Sequence, residues 1–267
     1  MPDINSSISL PMPRSRDWTP VLTSPWFSAV IAIGSILVLW FVMAQAFRPW
    51  VPDIDATLTE MWSNLQSADF WADFALTLWR VLSAFASASL LGAALGLLIG
   101  LNARAEAFCQ PLLALALAVP DPVYIIFAIL GLGTGELAGF VALTIAVLPF
   151  VANIVRSNVQ ARDMSLDEMA QIYHLPRGVR MSAVLIPQIV PALLTAMRFS
   201  FALSWKLVVV VEAIGQPNGI GASIFNSFRL LRMREVAATA ILFILAMQLL
   251  ERGVLGRVEK KLLRWRD

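Results

Sequence analysis

Apolar windows free of charge recur along the chain, with short polar segments between them. Trp26 to Phe47 is the first, and at about 20 residues per helical span it is long enough to cross a bilayer once. Val81 to Ala103 is the second; its helix is expected to begin near Ala72 and to carry Arg80 in its first turns. The third, from about Ala107 to Leu132, is interrupted by Val119-Pro120-Asp121-Pro122, where a helix must break. Leu137 to Val155 forms the fourth, and about Met181 to Val211 the fifth, which holds Arg198 and Lys206. The last, Val236 to Leu250, has only 15 uncharged residues and must borrow length from its flanks. The pattern predicts an all-α integral membrane protein of about six transmembrane helices. Residues 1–24 read as a tail ahead of a membrane domain over 25–267.

Basic residues orient the spans. With the N-terminus in the cytoplasm, 13 of the 20 lysines and arginines fall on the cytoplasmic side, 4 fall outside, and 3 (Arg80, Arg198 and Lys206) lie within spans. That bias places both termini in the cytoplasm, with the cluster Arg229, Arg232 and Arg234 dissenting. Pro49 to Phe70 is then an outside loop carrying Asp53, Asp55, Glu60 and Asp69. Ala44-Gln45-Ala46 has the small-x-small form of a cleavage site, but the apolar run before it is longer than an ordinary signal core. The first window is therefore read as a span.

Composition strengthens the membrane reading and excludes several others. Hydrophobic residues make up 58% of the chain and charged ones 14%, with a mean hydropathy of +0.74. A soluble domain does not reach those values. A single cysteine, Cys109, excludes an internal disulfide, and with a single histidine no Cys/His metal cluster can form. A net charge of +2 gives no argument for nucleic acid. Gly131-x-Gly133-x-Gly135 follows no strand and reads as a turn between spans, not a nucleotide loop.

Between the fourth and fifth windows lies a polar insert, about residues 163–181, placed by this topology in the cytoplasm. Ser165-Leu166-Asp167-Glu168 has the form of a capping box, so a short helix is expected to start after Ser165. It should end near His174, because Leu175 precedes Pro176 and Gly178 gives freedom to turn. The plain reading is a well-capped surface loop. Within the spans, Ala84, Ala88, Gly92, Gly96 and Gly100 recur every fourth residue, a seam for close helix packing. Charges there are costly and need a partner or a water-filled path. Arg80 lies near the outer surface and is expected to snorkel. Asp121 sits between Pro120 and Pro122, and irregular backbone at depth is tolerated where it lines a cavity. Val119 to Tyr124 is therefore the candidate translocation path, with Arg198 or Lys206 as a cation that could pair Asp121.

Several segments together resemble the permease subunits of ABC importers. Glu168-x-Ala170, the bend after it, and Ile186-Pro187 with Pro191 downstream are similar to that family's EAA loop. "LTLWRVLSAF" resembles the start of its second span, "GTGELAGFVALTIAVLPFVANIV" its fourth, and "SWKLVVVVEAIGQPNGIGASI" its W-x-x-L-V-x-x-E…G-L-G-x-L-I segment, over about Asp73 to Arg266. The set resembles the branch that imports nitrate, taurine and aliphatic sulfonates, and also pyrimidine precursors. Two departures stand out: the family glycine of the loop falls at His174, and Asp121 occupies a segment that is apolar in the family.

The resemblance implies a homodimer in the inner membrane that works with two ABC ATPase subunits and a periplasmic or lipid-anchored solute-binding protein. ATP and magnesium would sit on the ATPase, and this chain would bind no cofactor; it has no G-x-x-x-x-G-K-[ST] segment. The insert would be the coupling helix, with Ser165, Glu168, Ala170, Tyr173, His174, Pro176 and Gly178 at the ATPase contact. Ala170 would be small to allow close approach, and Pro187 and Pro191 would kink the entry to the fifth span. The path would involve Pro120, Asp121, Pro122 and Tyr124, with Arg198, Trp205 and Lys206 from the fifth span. Two other classes remain as alternatives. A secondary transporter acting without an ATPase would show related halves, and an integral membrane enzyme would need a catalytic cluster.

Overall fold

The structure, a computed structural model, describes residues 25–257. The tail with Arg14 and Arg16, and the terminal Lys260, Lys261, Arg264 and Arg266, lie outside the described residues. All described secondary structure is helical. The stretch through Ile54 is one unit and is taken by itself. It holds α1, Pro25–Ala46, an uncharged helix whose apolar side chains are mostly exposed, as a lipid-facing surface requires.

From Asp55 onward the chain forms a second compact unit. It contains α2 (Ile54–Gln66), α3 (Ala68–Leu101), α4 (Ala103–Ala118), α5 (Asp121–Leu132) and α6 (Glu136–Gln160). Then follow α7 (Met164–Ile172), a turn at Arg177–Val179, a π-helical stretch Arg180–Leu185, α8 (Ile186–Gly215), α9 (Ile220–Arg229) and α10 (Met233–Leu250). Five helices are long and apolar enough to cross a membrane, and α4 with α5 makes a sixth crossing if that pair, bent by 95°, is one broken span. The predicted count of about six therefore holds.

Three expectations need correction. α3 starts at Ala68, not near Ala72, because the Ser67 hydroxyl accepts from the Phe70 N–H at 3.4 Å and caps it. The segment expected to be an outside loop contains a 13-residue helix, α2, tied to α10 by the Asn64 amide donating to the Thr239 hydroxyl at 3.1 Å. Its polar, acidic composition hid it from a search for apolar windows. The return before the last span likewise contains α9.

The small-residue stripe of α3 packs on α6 within this chain. A Cβ at Gly96 would lie 2.5 Å from the Ala152 carbonyl oxygen and 2.8 Å from the Val155 Cβ. Gly92 and Gly100 meet Val151 and Val159 just as closely. With no side chain between them, the two backbones approach to van der Waals contact, which drives association where the hydrophobic effect is absent. α8 packs across both helices and completes the core around Val81, Val147, Val155 and Val208.

Candidate functional site

The insert is capped, but two residues earlier than the sequence pattern predicts. Asp163, not Ser165, is the N-cap of α7: its carboxylate accepts from the Ser165 N–H at 2.9 Å and from the Ser165 hydroxyl at 2.7 Å. A carboxylate at a helix N-terminus gains from the helix dipole as well as the hydrogen bond, so it displaces the weaker serine acceptor. Those two bonds hold the Asp163 carboxyl below its ordinary pKa. Glu168 points to solvent and makes no return bond, so no capping box forms.

α7 ends at Ile172, two residues before His174. His174 has φ 48°, its N–H donates to the Gln171 carbonyl at 3.0 Å, and the Leu175 N–H donates to the Ala170 carbonyl at 3.0 Å. That is a Schellman stop, which demands a left-handed residue where histidine stands. The position at which the resembled family has glycine is thus a position where glycine carries no Cβ penalty.

Two faces of α7 are distinct. Asp167 and Ala170 turn inward; Glu168, Met169, Ile172 and Tyr173 turn outward, Tyr173 being 73% exposed. Ala170 is 1% exposed, so the expectation that it contacts a partner fails: its small side chain seats α7 on its own chain. Asp167 accepts from the Arg162 Nε at 3.2 Å and the Arg180 Nε at 3.3 Å. The Asp163 N–H donates to the Gln188 side chain at 2.8 Å, fixing the front of α7 to α8. Ser165, His174, Pro176 and Gly178 are all exposed along the same segment. Pro187 lies in the first turn of α8, directly after the π-helical stretch, and Pro191 lies inside α8.

Arg80 does not snorkel. Only 6% exposed, it spends all five donors inside the protein. Nε and Nη2 donate to Glu136 at the start of α6, the first at 2.9 Å. Nη1 donates to Glu212, near the end of α8, at 2.6 Å, and to the Asn218 carbonyl at 2.8 Å; Nη2 also reaches the Asn218 side chain at 2.9 Å. Glu212, 0% exposed, accepts further from the Thr77 hydroxyl at 2.9 Å and the Gly221 N–H at 2.8 Å. Gly219 sits over this knot with φ 105°, and a Cβ there would lie 2.5 Å from the Glu212 carboxyl carbon. One guanidinium therefore ties α3, α6, α8 and the turn into α9.

The broken span is where the sequence placed it. Pro120 caps α5, Asp121 and Pro122 open it, and the Tyr124 hydroxyl reaches back across the break to the Ala116 carbonyl at 2.7 Å. This bond adds a second, shorter donor to a carbonyl that otherwise receives only the Val119 N–H, at 3.3 Å. The other path candidates do not join this group in the chain. Arg198 pairs with Glu251 at 3.8 Å, and Lys206 is exposed with Nζ 5.7 Å from the Trp205 ring centre. Trp205 itself is 8% exposed, edge-on to Phe243 and part of the core, so it lines no open path. The expected ion pair between Asp121 and Arg198 or Lys206 is not made.

Residues 88–262 match the family described as the binding-protein-dependent transport system inner membrane component. The chain belongs to that family. It is 25% identical over 251 residues to the putative aliphatic sulfonates transport permease of Bacillus subtilis, covering 94% of this chain and 88% of that one. It is 25% identical over 261 residues to the taurine transport system permease of Escherichia coli, covering 94% of each. Among solved structures, the crystal structure of an amino acid ABC transporter with histidines aligns with a TM-score of 0.60 at 21% identity, over 72% of this chain and 93% of that one. This last likeness bears on the fold alone.

As a member of this family the chain is a permease subunit of an ABC importer, not a catalytic enzyme, and the secondary-transporter alternative is set aside. Reasoning from sequence missed the Arg80 knot. Its three charges were visible, Arg80 just before the uncharged run of α3, Glu136 at the start of α6 and Glu212 near the end of α8, and the alternation of topology brings those positions to one level.

Proposed function

We propose that this permease imports a small sulfonate-type anion, received from a periplasmic or lipid-anchored binding protein. It acts as a homodimer in the inner membrane, with both termini cytoplasmic and the domain over 25–267 as the conducting part. Two ATPase subunits, which carry the ATP and magnesium, grip the insert at 163–181. This chain itself binds no cofactor.

One observation carries the reading: the outward face of α7 is presented on an element pinned from behind at Asp163 and Asp167. An exposed helix that cannot move independently of α6 and α8 converts a push into a rigid displacement of both spans. Glu168 and Tyr173 make the contact, with Met169 and Ile172 between them; Ser165, His174, Pro176 and Gly178 shape the segment around it. Pro187 and Pro191 let the base of α8 depart from a straight course.

The test is co-purification of the permease with its cognate ATPase, comparing the wild type with Glu168→Arg. Retention of the ATPase with unchanged stimulation would overturn the assignment of the insert. A cysteine introduced at Tyr173 should react with a membrane-impermeant thiol reagent only in inside-out vesicles; labelling in right-side-out vesicles would reverse the orientation.

The sulfonate reading takes its support from the two relatives' names. Asp121 favours a second reading, because a carboxylate at the broken span without an ion pair among the described residues disfavours an anion in the path. Uptake of taurine against a neutral pyrimidine precursor by the assembled importer separates the two. Asp121→Asn should raise anion uptake under the first reading and lower neutral-solute uptake under the second.

A further inference from the structure

The back of the insert holds a pocket of about 290 Å³. Its polar lining is Arg162, Asp167, Arg177 and Arg180; its apolar lining is Leu101, Met181 and Leu185. Three guanidiniums face one carboxylate, a local excess of two positive charges. Asp167 engages only the Nε atoms of Arg162 and Arg180. Arg162 spends Nη1 on the Val159 carbonyl at 2.8 Å, while its Nη2 and both Nη groups of Arg180 have no hydrogen-bond partner among the described residues. The Arg177 guanidinium makes neither an ion pair nor a hydrogen bond with any of them. The pocket therefore offers a fork of unmet donors beside a hydrocarbon wall.

Its place in the fold narrows the ligand. Leu101 is the last residue of the α3 span, and Met181 and Leu185 belong to the helical stretch that leads into α8. The pocket thus lies where two spans leave the apolar phase. Guanidinium forks match the oxygens of a phosphate, and basic pockets between spans at the membrane surface suit anionic head groups. A soluble anion would use the arginines and leave the apolar wall unused. We propose that this pocket binds an anionic phospholipid, its phosphate on Arg177, Arg180 and Arg162 and its acyl chain on Leu101, Met181 and Leu185. The lipid phosphate and Asp167 then share the same guanidiniums, so occupancy bears on how firmly α7 is held. The inference rests on the membrane fold and not on which face the insert takes.

The full chain, purified and exchanged into detergent containing equal phosphatidylglycerol and phosphatidylcholine, is examined by native mass spectrometry. The wild type should retain one phosphatidylglycerol per chain in preference to phosphatidylcholine. Arg177→Gln, which removes no side-chain hydrogen bond or ion pair among the described residues, should lower that retention about fivefold, and Arg177→Gln with Arg180→Gln should abolish the preference. Arg234→Gln, remote in sequence from the pocket, should leave it unchanged. Equal retention in the double variant overturns the site. Displacement of the lipid by millimolar inorganic phosphate overturns the lipid source in favour of a soluble anion. Displacement on adding the ATPase shows that the arginines serve that protein and likewise overturns the proposal, whereas a co-purified ATPase with lipid still bound supports it.

Discussion

Replacing Arg80 by methionine removes five hydrogen bonds and leaves Glu212 without its counter-charge at a position with 0% exposure. The two carboxylates respond differently. Glu136 is 61% exposed along its side chain and recovers water when Arg80 goes, so its share of the loss is that of a surface pair, below about 1 kcal/mol. Glu212 cannot recover water. Removing one partner of a buried pair costs about 3–5 kcal/mol, because the remaining charge stays buried. Thr77 and Gly221 still donate to it, which places the expected loss toward the lower end, about 3 kcal/mol. Glu212→Gln in the Arg80→Met background removes the orphaned charge while keeping an acceptor for both donors. The double variant should therefore be more stable than Arg80→Met alone by at least about 1 kcal/mol. Equilibrium unfolding of the detergent-solubilised chain measures all three variants. The reasoning is refuted if Arg80→Met lies within 1 kcal/mol of wild type, or if the double variant is no more stable than Arg80→Met.

Gly96→Val forces a side chain against the Ala152 carbonyl and Val155; overpacking should cost about 1–3 kcal/mol or prevent the α3–α6 contact, read as loss of the wild-type peak to aggregate in size exclusion. His174→Gly should be tolerated while His174→Val, which resists positive φ, should cost about 1–3 kcal/mol locally, read as faster hydrogen exchange over 164–175. Asp163→Ala should speed exchange at the first amides of α7, whereas Ser165→Ala should not. Because the Asp163 pKa is depressed in the folded chain, its cap is fully present above the ordinary carboxylate pKa and is lost as pH falls through the depressed value.

The spans were legible because each is a long uncharged run, and the bilayer reduces the choice of structure to helix. The break at Pro120 was legible for the same kind of reason: proline removes a donor and Asp121 follows it. What stayed hidden has a different physics. α2 is held by single polar contacts such as Asn64 to Thr239, which no periodicity announces. The N-cap was misread because Asp163 and Ser165 both suit the role, and the competition is settled by charge at the helix end. The inward turn of Ala170 depends on which side of α7 meets Arg162 and Arg180, a tertiary fact. Arg80 looked like a residue near water because single-chain reasoning counts its distance from the span end, not the partners that converge from helices more than 50 residues away in sequence.

The same two helices are fastened at both ends. α6 begins at Glu136, bound by Arg80, and ends at Gln160, two residues before Arg162, which holds Asp167 of the insert. α8 begins beside Gln188, bound to Asp163, and runs to Glu212, bound by Arg80. Together with α3, whose glycine stripe lies flush on α6, they make a closed frame with polar clamps above and below. The broken span is fixed differently: Glu106 joins its base to Arg156 of α6, but at the break Tyr124 to Ala116 is the one side-chain hydrogen bond among the described residues that bridges the two halves. A displacement entering at α7 should therefore move α6 and α8 as a unit, with deformation collecting at residues 119–123. Hydrogen exchange of the permease tests this in the membrane. Amides at both ends of α6 and α8 should be protected, and those over 117–124 should exchange fastest of any transmembrane peptide. Tyr124→Phe should speed that peptide alone. Uniform protection across the break, or fraying at the Glu136 and Glu212 ends first, would show that the frame is not the stiff part.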